Sequence, residues 1–230
     1  MALCGEGAVC IWNDIAPESE ADFYDWHNNE HMPERVGIPG FLRGRRYGAA
    51  DDITSPRYFT LYETETPEVI VGQDYRGRLN APTPWTQRVT KEFRNTFRAL
   101  TRVRTSLGPG PGGALATLRM SIPDAERQNF ERVASDEALP AIAREPMITG
   151  IHLCMTDMQA SAGRTAETRD RTDIMEPPDT AILIEGGTAA AVRHAAAKLV
   201  GAGAMAAIDR FEQGLYVLEY TRLKTAHTPG

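Results

Sequence analysis

The chain has 230 residues, of which 42% are hydrophobic and 24% are charged, as in ordinary soluble globular proteins. This length suits one large domain or two small ones, each with a real core. The formal net charge of −6 argues against a nucleic-acid-binding protein, which needs a basic face to neutralise phosphates.

Targeting and cysteine patterns predict a cytoplasmic protein. The first residues lack the basic start and apolar run of a secretory signal, and no run of eighteen apolar residues predicts a membrane span. Cys4, Cys10 and Cys154 form no C-x-x-C pair, so we expect reduced thiols and no structural zinc.

The first part of the chain predicts strands and helices in the order βαββαβ. Short apolar, aromatic and β-branched runs predict strands at 8–13, 41–47, 57–63 and 97–105. Acidic residues after Pro17 predict a helix that ends near Pro33, and a second helical stretch is expected within 67–92.

A stretch rich in proline and glycine divides the chain near its middle. Residues 108–113 read Gly-Pro-Gly-Pro-Gly-Gly and predict a linker between halves at 1–107 and 114–230. The second half repeats the order βαββαβ, with a polar stretch at 159–173 that predicts an exposed, mobile loop.

The repeated order predicts an α+β fold made of two ferredoxin-like halves. Each half leaves one sheet face without helices, and that face must be covered. We expect the two bare faces to press together and close a barrel of the dimeric α+β type, whose interior is a natural pocket.

One motif in the first half resembles a known family. The run from Trp26 to Arg35 reads WHNNEHMPER, and Ile38 to Tyr47 reads IPGFLRGRRY. These runs are similar to the EthD-like branch of the dimeric α+β barrel superfamily. The resemblance implies a ferredoxin-like fold with a pocket between sheet and helices. It also implies cofactor-independent enzymes that act on aromatic and polyketide-like compounds, namely cyclases, dehydratases, decarboxylases, isomerases and anthrone-type oxygenases.

The histidines of this motif predict acid–base chemistry. His27 and His31 are four residues apart, so they share a helix face, and Glu30 lies close enough to orient one of them. Two alternatives stay open. The histidines can cap a helix that ends near Pro33. The letters H-x-x-E-H also spell an inverted zinc-protease motif, with Glu63 or Cys154 as a third ligand, which we rank lower.

Strand alternation predicts which side chains face the barrel. On the third strand we expect Tyr58, Thr60 and Tyr62 to face the interior, and Phe59, Leu61 and Glu63 to face the helices. The second strand carries a similar inward set of Arg43, Arg45 and Tyr47, whereas Arg46 suits a solvated surface. Inward arginine and tyrosine side chains can bind a carboxylate or phenolate.

These patterns define two groups of candidate residues. The predicted catalytic residues are His31, His27, Glu30 and Tyr47. The predicted substrate-binding residues are Trp12, Arg45, Tyr58, Tyr62, Trp85 and His152. No metal ligand set is assigned to the chain.

The predicted function is a cofactor-independent lyase or isomerase acting on a small aromatic or polyketide-like compound. His31 moves a proton, and arginine and tyrosine side chains stabilise the negative charge that develops. Two alternatives are a non-catalytic ligand-binding barrel and a heme- or metal-dependent oxygenase. The expected partner is the small-molecule substrate, with no nucleic acid and no membrane, and exposed sheet edges leave a homodimer open.

Overall fold

The computed structural model describes residues 2–201 and 211–225. The strands are β1 Gly7–Ile15, β2 Phe41–Ala49, β3 Tyr58–Thr64, β4 Phe93–Leu107, β5 Ala114–Met120, β6 Ile148–Thr156, β7 Ile174–Met175, β8 Thr180–Gly186 and β9 Phe211–Leu223. The α-helices are α1 Glu20–Trp26, α2 Met32–Gly37, α3 Gln73–Leu79, α4 Pro84–Thr90, α5 Asp124–Val133, α6 Leu139–Ile142, α7 Met158–Ser161 and α8 Ala189–Gly201.

The sheet closes on itself as a barrel. Its strand order is β1-β3-β2-β9-β5-β8-β6-β4, and β4 pairs back with β1. Each half contributes the order 4-1-3-2 of a ferredoxin-like sheet, and the antiparallel pairs β2–β9 and β4–β6 join the halves. The predicted α+β fold with two ferredoxin-like halves is confirmed.

The halves meet between β4, which ends at Leu107, and β5, which begins at Ala114. Both halves contribute to one shared interior cluster. The division into domains at 1–107, 108–113 and 114–230 stays a prediction.

The two faces of β3 are the reverse of the prediction. Phe59 and Leu61 pack in the barrel interior, and Glu63 forms its ion pairs there. Tyr58 and Tyr62 instead pack in the layer between sheet and helices. All seven residues of β3 are buried, so composition did not distinguish its faces. Glu63 is tolerated inside the barrel because its charge is paired there.

The first helical region is longer than predicted. After α1 the backbone makes a π-helical turn at His27–His31 and continues as α2 to Gly37. Pro33 lies at the start of α2, where its missing N–H is tolerated, so it does not end the helix. The histidines therefore lie in the middle of a helical region, and they are not terminal caps.

The second half repeats this turn with different side chains. A π-helical turn at Ala134–Ala138 follows α5, and α6 begins directly after it with Pro140 near its start. Counting back from each proline, Ala134 corresponds to His27 and Ala138 to His31. Both alanines are buried, so the fold forms this turn without histidine.

The polar stretch after β6 is ordered against the first half. We call residues 157–177 the crossing segment. The backbone N–H of Glu167 donates to the carbonyl of Leu79 at 3.1 Å, and that of Ala166 donates to the Asn80 side chain at 3.0 Å. Thr168 is buried within the segment. Several residues of the segment are exposed as predicted, among them Arg164 and Arg169, but its polar groups also bond to the other half; its mobility stays a prediction.

Candidate functional site

One end of the barrel interior holds a network of charged side chains. Glu63 accepts hydrogen bonds from Arg43 at 2.7 Å and from Arg45 at 3.0 Å. Arg45 also donates to Glu185 at 2.6 and 3.0 Å, and His152 contacts the same carboxylate at 3.1 Å. The two carboxylates and His152 are fully enclosed.

Pairing within this network outweighs the effect of burial on Glu185. Burial alone raises the pKa of its carboxyl, but hydrogen bonds from His152 and Arg45 and the charge of Arg45 lower the pKa to about 2. The other ring nitrogen of His152 lies 3.0 Å from Ser106 Oγ. Every charge is therefore matched, and the arrangement acts as a structural core.

Four predicted site residues belong to this interior: Trp12, Arg45, Tyr47 and His152. Tyr47 accepts a hydrogen bond from Arg45 at 2.6 Å, and burial raises the pKa of its hydroxyl. Trp12 donates to Thr117 Oγ1 at 3.2 Å. The structure thus places Tyr47, Arg45 and His152 on the opposite side of the sheet from His27 and His31.

His27 lies in the layer between the first helices and the sheet, where it is only 3% exposed. Its Nδ1 lies 3.3 Å from Arg46 Nη1, and its Nε2 lies 3.4 Å from the Tyr62 hydroxyl. Because a guanidinium only donates, Nδ1 acts as the acceptor, and Nε2 carries the proton of a neutral ring.

His31 lies beside it and is 6% exposed. Its ring centroid is 4.2 Å from that of Trp26 and 5.6 Å from that of His27. Its buried Nδ1 has no hydrogen-bond partner among the residues that the structure describes. One imidazole nitrogen is thus buried without a partner in an aromatic environment.

Both histidines are held neutral. Burial is the main cause that lowers the pKa of each ring well below its ordinary value. The charges of Arg46 and Arg35 add to the shift at His27, and that of Arg35 adds to it at His31. A neutral imidazole can accept a proton at neutral pH.

Two arginines that sequence reasoning did not select surround these rings. Arg46 was expected on the surface, but it is buried, stacks over Tyr24 at 4.4 Å and donates to Asn28 at 2.8 Å. Arg35 is 2% exposed and pairs with Glu167 of the crossing segment at 2.5 Å. Because successive side chains of a strand point to opposite faces, an inward Arg45 implies that Arg46 faces the helices. This alternation is the sequence pattern that could have identified Arg46.

The other predicted residues of the helix layer have different partners. Glu30 accepts hydrogen bonds from Thr83 at 2.6 Å and Thr86 at 3.1 Å, at the start of α4, and not from either histidine. Its predicted role of orienting a histidine is therefore corrected. Trp85 donates to Asp22 at 2.9 Å, and the Tyr58 hydroxyl donates to Glu20.

A cleft of about 430 Å³ opens between β4 and the crossing segment. Arg98 lines it, and its guanidinium stacks over Tyr75 at 5.9 Å. Ile11, which pairs with Arg98 across the sheet, is only half-buried although β1 is an interior strand. The cleft therefore lies over the outer face of β4, and neither Tyr62 nor a histidine lines it.

The zinc alternative has no support in residues 2–201 and 211–225. No three histidine, cysteine, aspartate or glutamate side chains meet there as a ligand set. Glu63 and Cys154, its suggested third ligands, lie inside the barrel.

No helix in the same part of the chain is long and apolar enough to cross a membrane.

Comparison with solved structures shows the fold. No protein-family model matches the chain, and no curated protein matches it by sequence. An anthrone oxidase-like protein is 10% identical, with a TM-score of 0.59 over 94% of this chain and 92% of that one. A putative monooxygenase from Lactobacillus acidophilus is 11% identical, with a TM-score of 0.55 over 95% and 96%. A heme-binding protein from Thermus thermophilus is 8% identical, with a TM-score of 0.51 over 93% and 91%.

The chain has the ferredoxin-like, dimeric α+β barrel-type fold. The EthD-like branch in particular is not shown by these similarities. The prediction of a cofactor-independent lyase or isomerase is corrected, because the similar structures carry the names of oxygenases and of a heme-binding protein. The oxygenase alternative agrees better with them.

A heme does not fit the described histidines. An axial ligand needs an imidazole nitrogen directed into a space wide enough for the macrocycle. His27 and His152 use both ring nitrogens within the protein, and His194 is exposed on α8. Aromatic rings enclose His31, and no histidine lines the cleft at Arg98.

Proposed function

We propose that the chain is an oxygenase that takes a proton from a small phenolic compound at His31 and lets the resulting carbanion react with O2. The observation that carries this proposal is the contrast between the two π-helical turns. The fold builds the same turn with Ala134 and Ala138 in the second half. The fold therefore does not require histidines at the equivalent positions of the first half, and we infer that they are present for their chemistry.

The charge state of His31 suits a general base. Its ring is neutral, and its Nδ1 has no partner among the described residues, so this nitrogen is free to accept the substrate proton. The ring of His27 is fixed by the contacts of its two nitrogens with Arg46 and Tyr62, and it lies beside the ring of His31. His31 is thus the proton acceptor, and His27 is a positioning residue.

Positive charge next to the rings stabilises the anion that forms. The guanidinium groups of Arg35 and Arg46 lie in the same buried layer, where low polarity strengthens their attraction for a carbanion or phenolate. These cations contribute to the lowered pKa of the histidines. One arrangement therefore keeps the base neutral and favours negative charge on the substrate.

The reaction balances with O2 as the only co-reactant. A phenol-activated methylene loses one proton to His31, and the carbanion gives electrons to O2. One oxygen atom remains in the product as a carbonyl, and the other leaves as water with the two methylene hydrogens. The name of the anthrone oxidase-like neighbour supports this substrate class. Because aromatic rings enclose His31, the proposal requires these side chains to move apart when the substrate binds.

The test measures O2 uptake with 1,8-dihydroxyanthrone as the probe substrate. General-base catalysis contributes roughly 10²–10⁴-fold, so H31A is expected to lose about that factor in kcat. H194A replaces an exposed histidine and serves as the matched control, with unchanged kcat. Equal rates for the wild type and H31A would remove His31 from the mechanism.

A further inference from the structure

A second, larger cleft opens at the end of the barrel away from the charged network. Its volume is about 1410 Å³, and it lies between β4, β5, α5 and the end of the crossing segment. Its apolar wall is formed by Phe97, Ile122, Phe130, Met158 and Phe211. This wall offers a large contact surface to a flat, apolar molecule.

Arg119 of β5 lies at the inner end of this cleft and is 5% exposed. Its guanidinium stacks 4.5 Å from the ring centroid of Phe97 and 5.5 Å from that of Trp12. Its Nη2 donates to the Ser55 carbonyl at 3.0 Å and contacts Glu212 at 2.6 Å. The stacking holds the guanidinium plane in a fixed orientation.

Two of the three Arg119 nitrogens are unused. Nε and Nη1 are buried and have no hydrogen-bond partner among the described residues. A buried N–H without an acceptor costs free energy, so such groups are seldom left open without a reason. The Arg119 guanidinium is thus an incomplete binding group at the wall of an open cleft.

The opposite end of the barrel provides an internal comparison. Arg45 is equally buried there, and its three nitrogens all donate to Glu63, Tyr47 or Glu185. The barrel therefore completes one buried guanidinium with its own acceptors and leaves two nitrogens of the other, at the wall of the cleft, without acceptors.

The cleft also limits the ligand's charge. Arg119 only donates, so the ligand must supply acceptor oxygens. Glu126, Glu176 and Glu212 line the cleft and disfavour a polyanion. We propose that this cleft binds an aromatic monocarboxylate, with its carboxylate on the free N–H groups of Arg119 and its ring on the apolar wall. This site is separate from the oxygenase site proposed above.

Isothermal titration calorimetry with 1-naphthoate tests the proposal. We expect saturable binding of one molecule per chain, weakened at least tenfold in R119Q. R193Q removes an exposed arginine that pairs with Asp51, and it should bind like the wild type. The neutral analogue 1-naphthylmethanol should bind at least tenfold more weakly than 1-naphthoate.

A second variant blocks the cleft without replacing Arg119. It therefore tests the site even if the Arg119 substitution affects folding. Ala125 is exposed and lines the cleft, so A125W fills the space and leaves the guanidinium in place. It should also abolish naphthoate binding. The proposal is overturned if the wild type shows no saturable binding, or if R119Q and A125W both bind as tightly as it does.

The two proposals fail separately. H31A alters the helix layer of the first half and should bind 1-naphthoate with unchanged affinity. Loss of naphthoate binding in H31A would show that the probe occupies the oxygenase site, and it would overturn the assignment to Arg119.

Discussion

The charge states of His27 and His31 follow from where their side chains lie. Both rings are enclosed between helix and sheet beside arginines, and burial favours the neutral form. In the unfolded chain the same rings take up protons near the ordinary histidine pKa. Protonation therefore couples to unfolding at these two positions.

This coupling predicts a loss of stability in mild acid. Because the folded pKa values are depressed, the unfolded state binds more protons as the pH falls below about 6.5, and folding stability decreases there. Urea denaturation between pH 7.5 and 5.5 measures the slope. The double variant H27A/H31A should show a smaller slope, and H194A should keep that of the wild type. An unchanged slope in the double variant contradicts the buried, neutral state.

Arg45 predicts a large stability effect without a catalytic one. R45M leaves Glu63 paired with Arg43 but removes the arginine that pairs with Glu185, so one negative charge inside the barrel is unmatched. Removing one partner of a buried ion pair costs about 3–5 kcal/mol, whereas the exposed pair broken in R193M contributes about 0–1 kcal/mol. Urea midpoints at pH 7 compare the two variants. A similar small effect for both would show that the network is not the structural core described above.

The helical elements show why motif reading located the candidate site without giving its geometry. The sequence placed His27 and His31 on a common helix face, and the structure brings their rings to 5.6 Å. Pro33 suggested a helix end, but a π-helical turn accommodates the proline. Glu30, adjacent in sequence, turned instead toward the threonines of α4. The directions of these side chains depended on the π-helical turn, which the spacing of residues in the sequence does not reveal.

The crossing segment is the element that connects the second half to the candidate site. Glu167 contacts Arg35 at 2.5 Å, and Arg35 contributes to the lowered pKa of both histidines. A segment held by a few polar contacts opens more easily than a packed strand. We expect the Glu167–Arg35 ion pair to limit local opening of the segment.

Limited trypsin digestion measures this attachment. E167A should be cut faster at Arg164 and Arg169, which are exposed residues of the segment, while its thermal midpoint changes little. D170N alters an exposed carboxylate of the same segment and should be cut at the wild-type rate. Equal cleavage of E167A and the wild type would show that the ion pair does not hold the segment.

For the whole molecule, element order was enough to predict the closed barrel, because two half-sheets with bare faces have few ways to bury them. Which side chains of β3 face the barrel interior was not predictable, because every residue of the strand is buried on one side of the sheet or the other. The interior charges at Glu63 and Glu185 become acceptable only when Arg45, from another strand, lies between them. Such long-range pairing leaves no local signal in sequence.

Closure of the barrel also bears on whether two copies of the chain form a homodimer. Both outer strands of each half-sheet are paired with the other half, through β2–β9 and β4–β6. The exposed sheet edges that suggested a homodimer are thus used within the chain. A homodimer stays a prediction, and it needs another surface.

Hydrogen exchange into 1,8-dihydroxyanthrone tests proton removal at His31 most directly. Without O2 the oxidation cannot proceed, but a base at the site still exchanges the methylene hydrogens with D2O. We expect the wild type to accelerate this exchange by about 10²-fold or more over buffer, and H31A not to accelerate it. Exchange in the presence of the wild type at the rate of buffer alone would contradict this expectation.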